Sequence, residues 1–246
     1  MQLKICNDYE TLSSVAATEI IQVVKKKPDA VLCIAAGDTP RLTCVLLANK
    51  ARQENIDFSK CTFIGLDEWV GIPPENEGSC GFFLQHMIFN PLHISPLKIH
   101  LFNAMSGDLE HDCKTMDNII FQKGGIDLML VGIGMNGHIG FNEPGVSFNK
   151  YSHVIDLDDA TQTVGQKYFT ENTMLKKGIT LGLNHLVQSK KVILVANGAK
   201  KAEVIRKALE GEISEDMPAS IVRLHPQSMV IIEEEAASLL TKKASR

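Results

Sequence analysis

Ile126-Asp127-Leu128-Met129-Leu130-Val131-Gly132-Ile133-Gly134-Met135-Asn136-Gly137-His138-Ile139-Gly140-Phe141-Asn142-Glu143-Pro144 is the stretch whose reading decides the fold. Its apolar first half, Ile126 to Ile133, reads as a buried strand, and the glycine-rich second half reads as the loop that leaves it. In an open α/β sheet such a loop sits at the carboxyl end of its strand, where ligands bind. Glycines let backbone approach a ligand closely, and His138 and Glu143 bring a proton shuttle and a carboxylate to orient it. A plain connection carrying a surface histidine is the competing reading. His138, Asn142 and Glu143 within six positions of one loop weigh against it.

Three further runs of strand length flank this one: Ala30 to Ala35, Cys61 to Leu66 and Lys191 to Ala196. Helical-period segments lie between them, Tyr9 to Lys26, Thr39 to Glu54, Asp108 to Lys123 and Gly198 to Glu210. This rhythm predicts a single α/β domain over residues 1–246, a doubly wound, mostly parallel, Rossmann-like sheet with helices on both faces. No internal repeat or composition break marks a second domain.

The 246 residues carry a net charge of -4, which gives no global reason to expect nucleic acid or an anionic membrane as partner. The N-terminus lacks a signal-peptide pattern, and no run reaches the roughly 18 apolar residues of a membrane span. A cytoplasmic protein is expected. Cys6, Cys33, Cys44, Cys61, Cys80 and Cys113 are scattered without a C-x-x-C, so neither a zinc site nor a disulfide framework is expected. A homo-oligomer stays compatible with the pattern, since the outer faces of the helices are not mapped by it.

A parallel sheet points all its strand ends one way, so the polar clusters that follow the strands converge. After the first comes Ala36-Gly37-Asp38-Thr39-Pro40, with Thr39 read as N-cap and Pro40 as the first helical residue. That turn is either a capped helix start or a cradle for a phosphate, with Asp38 as an awkward like charge. After the second comes Leu66-Asp67-Glu68-Trp69-Val70. Asp67 beside the lone tryptophan is either a desolvated carboxylate suited to proton abstraction or a helix cap followed by a solvated glutamate. Asn197-Gly198-Ala199-Lys200-Lys201 opens a helix with two lysines, which the helix dipole disfavours unless an anion compensates. Together these ends supply acid/base equipment around a phosphorylated small molecule. No metal cluster, dinucleotide fingerprint or activated nucleophile is present in the pattern.

The ordered set Gly37-Asp38-Thr39-Pro40, Leu66-Asp67-Glu68-Trp69-Val70, Gly132 to Pro144 and Gly198-Ala199-Lys200-Lys201 resembles the glucosamine-6-phosphate deaminase family, which shares a fold with the 6-phosphogluconolactonases. The resemblance runs from about Lys27 to about Ile232. It implies aldose-ketose isomerisation of a 2-amino-2-deoxyhexose 6-phosphate with loss of ammonia, without metal or cofactor. It assigns Asp67 as the base between C2 and C1, His138 as the ring-opening acid/base and Glu143 as its orienting carboxylate. Gly37, Asp38, Thr39 and Lys201 fall in its phosphate site, joined by Lys190 where the family usually has an arginine. That exchange replaces a planar fork with a point charge.

The lactonase branch usually reads towards F-P where this chain has Asn142-Glu143-Pro144, and D-E-R where it has Asp67-Glu68-Trp69. Glucosamine enzymes usually carry aspartate at the position of Asn136. That residue looks more like the galactosamine-6-phosphate deaminase/isomerase branch, as do Lys27-Pro28-Asp29-Ala30, Gly178 to Leu183 and Pro218-Ala219-Ser220. The resemblance therefore implies galactosamine 6-phosphate as substrate and tagatose 6-phosphate as product, with glucosamine 6-phosphate as the alternative.

Overall fold

The computed structural model describes residues 1–241. In chain order it contains β1 (Gln2–Cys6), α1 (Tyr9–Lys26), β2 (Val31–Ile34), α2 (Asp38–Gln53), β3 (Thr62–Ile64) and β4 (Asp67–Trp69). Then follow α3 (Cys80–Leu84), β5 (Ile99–His100), α4 (Leu109–Gln122), β6 (Leu128–Val131), β7 (His153–Asp156) and α5 (Asp159–Gly165). The chain closes with β8 (Lys177–Thr180), α6 (Leu183–Gln188), β9 (Val192–Ala196), α7 (Ala202–Glu210) and β10 (Ser228–Glu233).

Seven strands form one sheet in the order β1-β10-β9-β6-β2-β3-β5. Every pairing in it is parallel. Parallel strands covered on both faces read as unbroken apolar runs, and β2, β6 and β9 are buried at every position. Alternate side chains feed opposite layers. Val31, Cys33, Met129, Val131 and Leu194 enter one core with α4 and α7. Leu32, Ile34, Leu128, Leu130 and Ile193 enter the other with α1 and α2.

Helix α1 forms as its sequence dictates. Leu12, Ala16, Ile20 and Val24 stack at i, i+4 spacing on the buried face, and Asp8 caps the start by accepting from the Thr11 N–H at 2.7 Å. No helix among the described residues is long and apolar enough to cross a membrane.

The strand order has a switch point. From β2 the chain moves outward to β3 and β5, whereas from β6 it moves the other way, to β9 and β10. The adjacent carboxyl ends of β2 and β6 therefore open a crevice, and the two loops that leave them are the Gly37 turn and the Gly132–Pro144 loop.

Three differences from the sequence reading concern this end of the sheet. Helix α2 begins at Asp38 with Gly37 as its N-cap, so Thr39 lies in the first turn and is not the cap. The physical reason is the backbone of Gly37, whose φ of 120° turns the chain into the helix earlier and is natural only to glycine. Helix α7 starts later than expected, because Ala199–Lys201 form a 3-10 turn first. A second, antiparallel sheet in the order β4-β8-β7 was not expected. Its three- and four-residue strands are too short to show a period of two.

Candidate active site

Around the crevice a cavity of about 230 Å³ is lined by the Gly37–Arg41 turn, Asp67, Trp69, Ser79, Cys80, Gly134, Asn136, His138, Lys167, Tyr168 and Lys201. The loop after β6 forms one wall. Gly134 N–H donates to the His138 carbonyl at 2.9 Å, which folds the loop back on itself. The His138 ring lies directly on Gly134, where any Cβ would run into it.

The imidazole is held from one side. His138 Nδ1 lies 3.3 Å from Glu143 Oε2 and 3.1 Å from Thr161 Oγ1. Among the described residues no group engages Nε2, which leaves that nitrogen for a ligand. Glu143 is buried. Burial disfavours its charge, but hydrogen bonds from His138, Thr161 and Asn136 outweigh that and hold its carboxyl below the usual value. Asn136 Nδ2 donates to Glu143 Oε2 at 2.7 Å, and its Oδ1 accepts from the His138 backbone N–H at 3.2 Å. Asn142 faces away from the cavity and donates to the Leu181 carbonyl at 2.8 Å, tying the loop to the end of β8.

Asp67 opens β4, pairing antiparallel with Thr180 of β8. Alternation along the strand puts Asp67 and Trp69 on the cavity side and turns Glu68 the other way. Burial, then the charge of Glu68, pushes the Asp67 carboxyl up to about 7, against a smaller lowering by the Cys80 thiol. Trp69 packs against Phe141 with ring centres 4.5 Å apart and planes tilted by 56°, and forms a small apolar cluster with Ile72, Leu157 and Leu175. Glu68 is buried, unlike the solvated residue that one reading of the sequence allowed.

Cationic groups line the cavity as well. Lys201 Nζ donates to the Ile133 carbonyl at 2.6 Å, and burial, with the nearby charge of Lys167, lowers it to about 8. Lys167 Nζ pairs with Asp38 Oδ2 at 2.6 Å and lies 4.8 Å from the centre of the Tyr168 ring. Asp38 is thus balanced by a lysine and is not a bare like charge. Thr39 Oγ1 donates to Asn197 Oδ1 at 2.7 Å, which joins the turns after β2 and β9. The Gly198 N–H is held by Glu233.

The structure brings together Gly37, Asp38, Thr39, Asp67, Asn136, His138 and Lys201 around one cavity, with Glu143 behind His138. It does not bring Lys190 there. Lys190 precedes β9 and so emerges at the amino end of the sheet, where its Nζ lies 2.7 Å from Asp127 Oδ1. The same Asp127 accepts from the Val31 N–H at 2.7 Å and from Lys27 at 2.9 Å. The second cavity lysine is Lys167, which sequence reasoning missed. It lies in a segment of weak periodicity whose place over the crevice is set by α5. For Lys190, its position one residue before an apolar strand was the available signal.

Residues 8–231 match the family of glucosamine-6-phosphate isomerases/6-phosphogluconolactonase. This chain belongs to that family. It is 39% identical over 240 residues to glucosamine-6-phosphate deaminase 1 of Bacillus subtilis (strain 168), covering 97% of this chain and 99% of that protein. Identity is also 39% over 238 residues to the glucosamine-6-phosphate deaminase of Shouchella clausii, covering 96% of each. A solved structure described as a monomeric glucosamine-6-phosphate deaminase superposes with a TM-score of 0.94 at 39% identity, covering 97% of this chain and 100% of that one. The 6-phosphogluconolactonase of Trypanosoma cruzi superposes with a TM-score of 0.80 at 15% identity, a likeness of fold alone.

Proposed function

We propose that this protein is an amino-sugar-6-phosphate deaminase/isomerase that converts glucosamine 6-phosphate and water into fructose 6-phosphate and ammonia. The observation that carries this reading is a single cavity holding a carboxylate poised near neutrality, a histidine backed by a carboxylate, and two lysines. Deaminase relatives at 39% identity over nearly the full chain support the same reaction class.

In this reading Lys201, Lys167, Thr39 and the Gly37 turn hold the phosphate, through cations and the free N–H groups at the start of α2. His138 Nε2 takes the proton from the C1 hydroxyl of the closed sugar and delivers it to the ring oxygen, which opens the ring. Glu143 keeps the Nδ1 side engaged, so the shuttle runs through one nitrogen. Asp67 then removes the C2 proton of the open aldehyde. The electron pair forms the C1–C2 double bond, and the C1 oxygen takes up a proton from water. Asp67 returns its proton to C1, leaving an iminium at C2. Water adds there, the C–N bond breaks and ammonia leaves. A base of pKa near 7 suits this work, being ionised for abstraction yet able to hold the proton between steps.

Galactosamine 6-phosphate is the second reading, favoured by Asn136 together with Lys27-Pro28-Asp29-Ala30, Gly178 to Leu183 and Pro218-Ala219-Ser220. Asn136 spends its amide inside the loop, on Glu143 and the His138 backbone, and so offers less to a sugar hydroxyl than that reading needs. Ammonia release from the two amino-sugar phosphates, measured side by side, tests both. Release from glucosamine 6-phosphate at the higher kcat/KM supports the first reading, and the reverse order supports the second. No release from either, with hydrolysis of 6-phosphogluconolactone, overturns both.

A further inference from the structure

Glu68 is buried and turned away from the cavity, yet it accepts four hydrogen bonds. They come from the Trp69 N–H at 2.9 Å, the Ser79 hydroxyl at 2.6 Å, the Cys80 N–H at 3.0 Å and the Gly81 N–H at 2.8 Å. Four donors fill the acceptor positions of a carboxylate. Three of them belong to one turn, the start of α3, which Ser79 also caps by accepting from the Phe82 N–H at 3.2 Å. A carboxylate on β4 thus fastens a turn that lies ten and more residues away in sequence. That turn carries Cys80 on the cavity wall beside Asp67.

We infer that Glu68 is a positioning residue for Asp67: its carboxylate locks the Ser79–Gly81 turn onto β4 and so holds the Cys80 thiol against the Asp67 carboxylate as a hydrogen-bond donor. The inference rests on the proposed role of Asp67 as the base. Cys80 acts here as a donor and not as a nucleophile, because burial, with the charges of Asp67 and Glu68, keeps its proton on sulfur. The two partners push Asp67 in opposite directions. The neighbouring charge of Glu68 favours the protonated acid, and the thiol donor favours the carboxylate. The buried Cys33 thiol of β2 lies near enough to feel the charge of Asp67 and also keeps its proton. From β8 the opposing residue is Thr180, which does not titrate. His138, Lys167 and Lys201 share the cavity.

The test is the pH dependence of Asp67 in the intact protein. It is read twice: from the acid limb of kcat/KM for ammonia release, and from 13C NMR of labelled aspartate carboxyls, assigned with Asp67→Asn. Glu68→Gln is expected to move both midpoints down by on the order of one pH unit. Cys80→Ala is expected to move both up by roughly half a unit, and Cys80→Ser, which keeps a donor, to restore them. The signature of positioning is that the Cys80 effect depends on Glu68: Cys80→Ala is expected to move the midpoint up in the wild type and by much less in the Glu68→Gln background, where the turn is no longer held. No movement on Cys80→Ala in the wild type, or an equal movement in both backgrounds, overturns the inference. Should Glu68→Gln fail to fold, Ser79→Ala, which removes one of the donors by which Glu68 holds the turn, serves as the second background. If the wild type releases no ammonia from either sugar, the functional reading fails, while the NMR titration still decides the positioning role.

Discussion

The Asn136 amide nitrogen sits 2.7 Å from Glu143 Oε2, the same oxygen that lies 3.3 Å from His138 Nδ1. One buried carboxylate oxygen thus gathers the loop's amide and its imidazole. Asn136→Asp would place a second carboxylate at that contact, the residue that glucosamine enzymes usually carry there, at the cost of like-charge repulsion with Glu143. The expected outcome is retained turnover, with kcat within about tenfold of wild type and a lower Tm from the added like charge. The ratio of kcat/KM between glucosamine and galactosamine 6-phosphates is expected to stay within about threefold of wild type, because the amide faces Glu143. A reversal of that ratio would show that Asn136 contacts the sugar.

Asp67 combines a raised pKa with the proposed base role, and both parts are testable. A base must be ionised, so kcat/KM is expected to fall as pH drops through about 7. Asp67→Asn is expected to abolish turnover while leaving binding of an open-chain sugar-phosphate analogue within a few-fold. The linkage sign runs against the wild type. Between the ordinary carboxylate value and about 7, the native state holds a proton that the unfolded chain has lost, so this group's contribution to stability is present at low pH and lost as pH rises. Asp67→Asn should therefore raise Tm by several degrees at pH 8 and by less at pH 5. Calorimetry at the two pH values checks it.

Gly134 lies under the His138 ring, where a Cβ has no room. Gly134→Ala must displace either the imidazole or the loop backbone, and the loop is anchored by the Gly134 N–H to the His138 carbonyl. Because a small misplacement of a reacting group costs heavily, kcat is expected to fall by about a hundredfold with KM nearly unchanged. A wild-type kcat would mean that the ring is free to move without loss.

The parts of this molecule that were legible in its sequence are those whose burial is one-dimensional. The run from Ile126 to Val131 and its glycine loop gave a central strand and one cavity wall, because a doubly covered parallel strand must be apolar throughout. Helix α1 matched its expected bounds because its apolar spacing and its cap agree. Lys167 and Cys80 were not legible as cavity residues. Each reaches the site through a contact across the chain, Lys167 to Asp38 and the Cys80 turn to Glu68, which no local pattern encodes. The Lys190 assignment failed on topology, since a residue that precedes a parallel strand lies at the end opposite the crevice.

The three lysines separate these arguments experimentally. Lys201, lowered to about 8, must be charged to hold a phosphate, so KM is expected to rise as pH passes about 8 and Lys201→Ala to raise KM by more than tenfold. Lys167→Ala removes a cavity cation and leaves Asp38 without its lysine partner on the cavity wall, so its KM is also expected to rise by about tenfold. In Asp38→Asn the Lys167 cation is freed from its partner, and KM is expected to fall or hold. Lys190→Ala is the control. Its side chain is 61% exposed and serves only to pair with Asp127, which keeps Lys27 and the Val31 N–H, so kcat and KM should stay at wild-type values while Tm drops by a degree or two. A rise in KM for Lys190→Ala matching that of Lys167→Ala would return the phosphate to the amino end of the sheet and overturn the placement of the site.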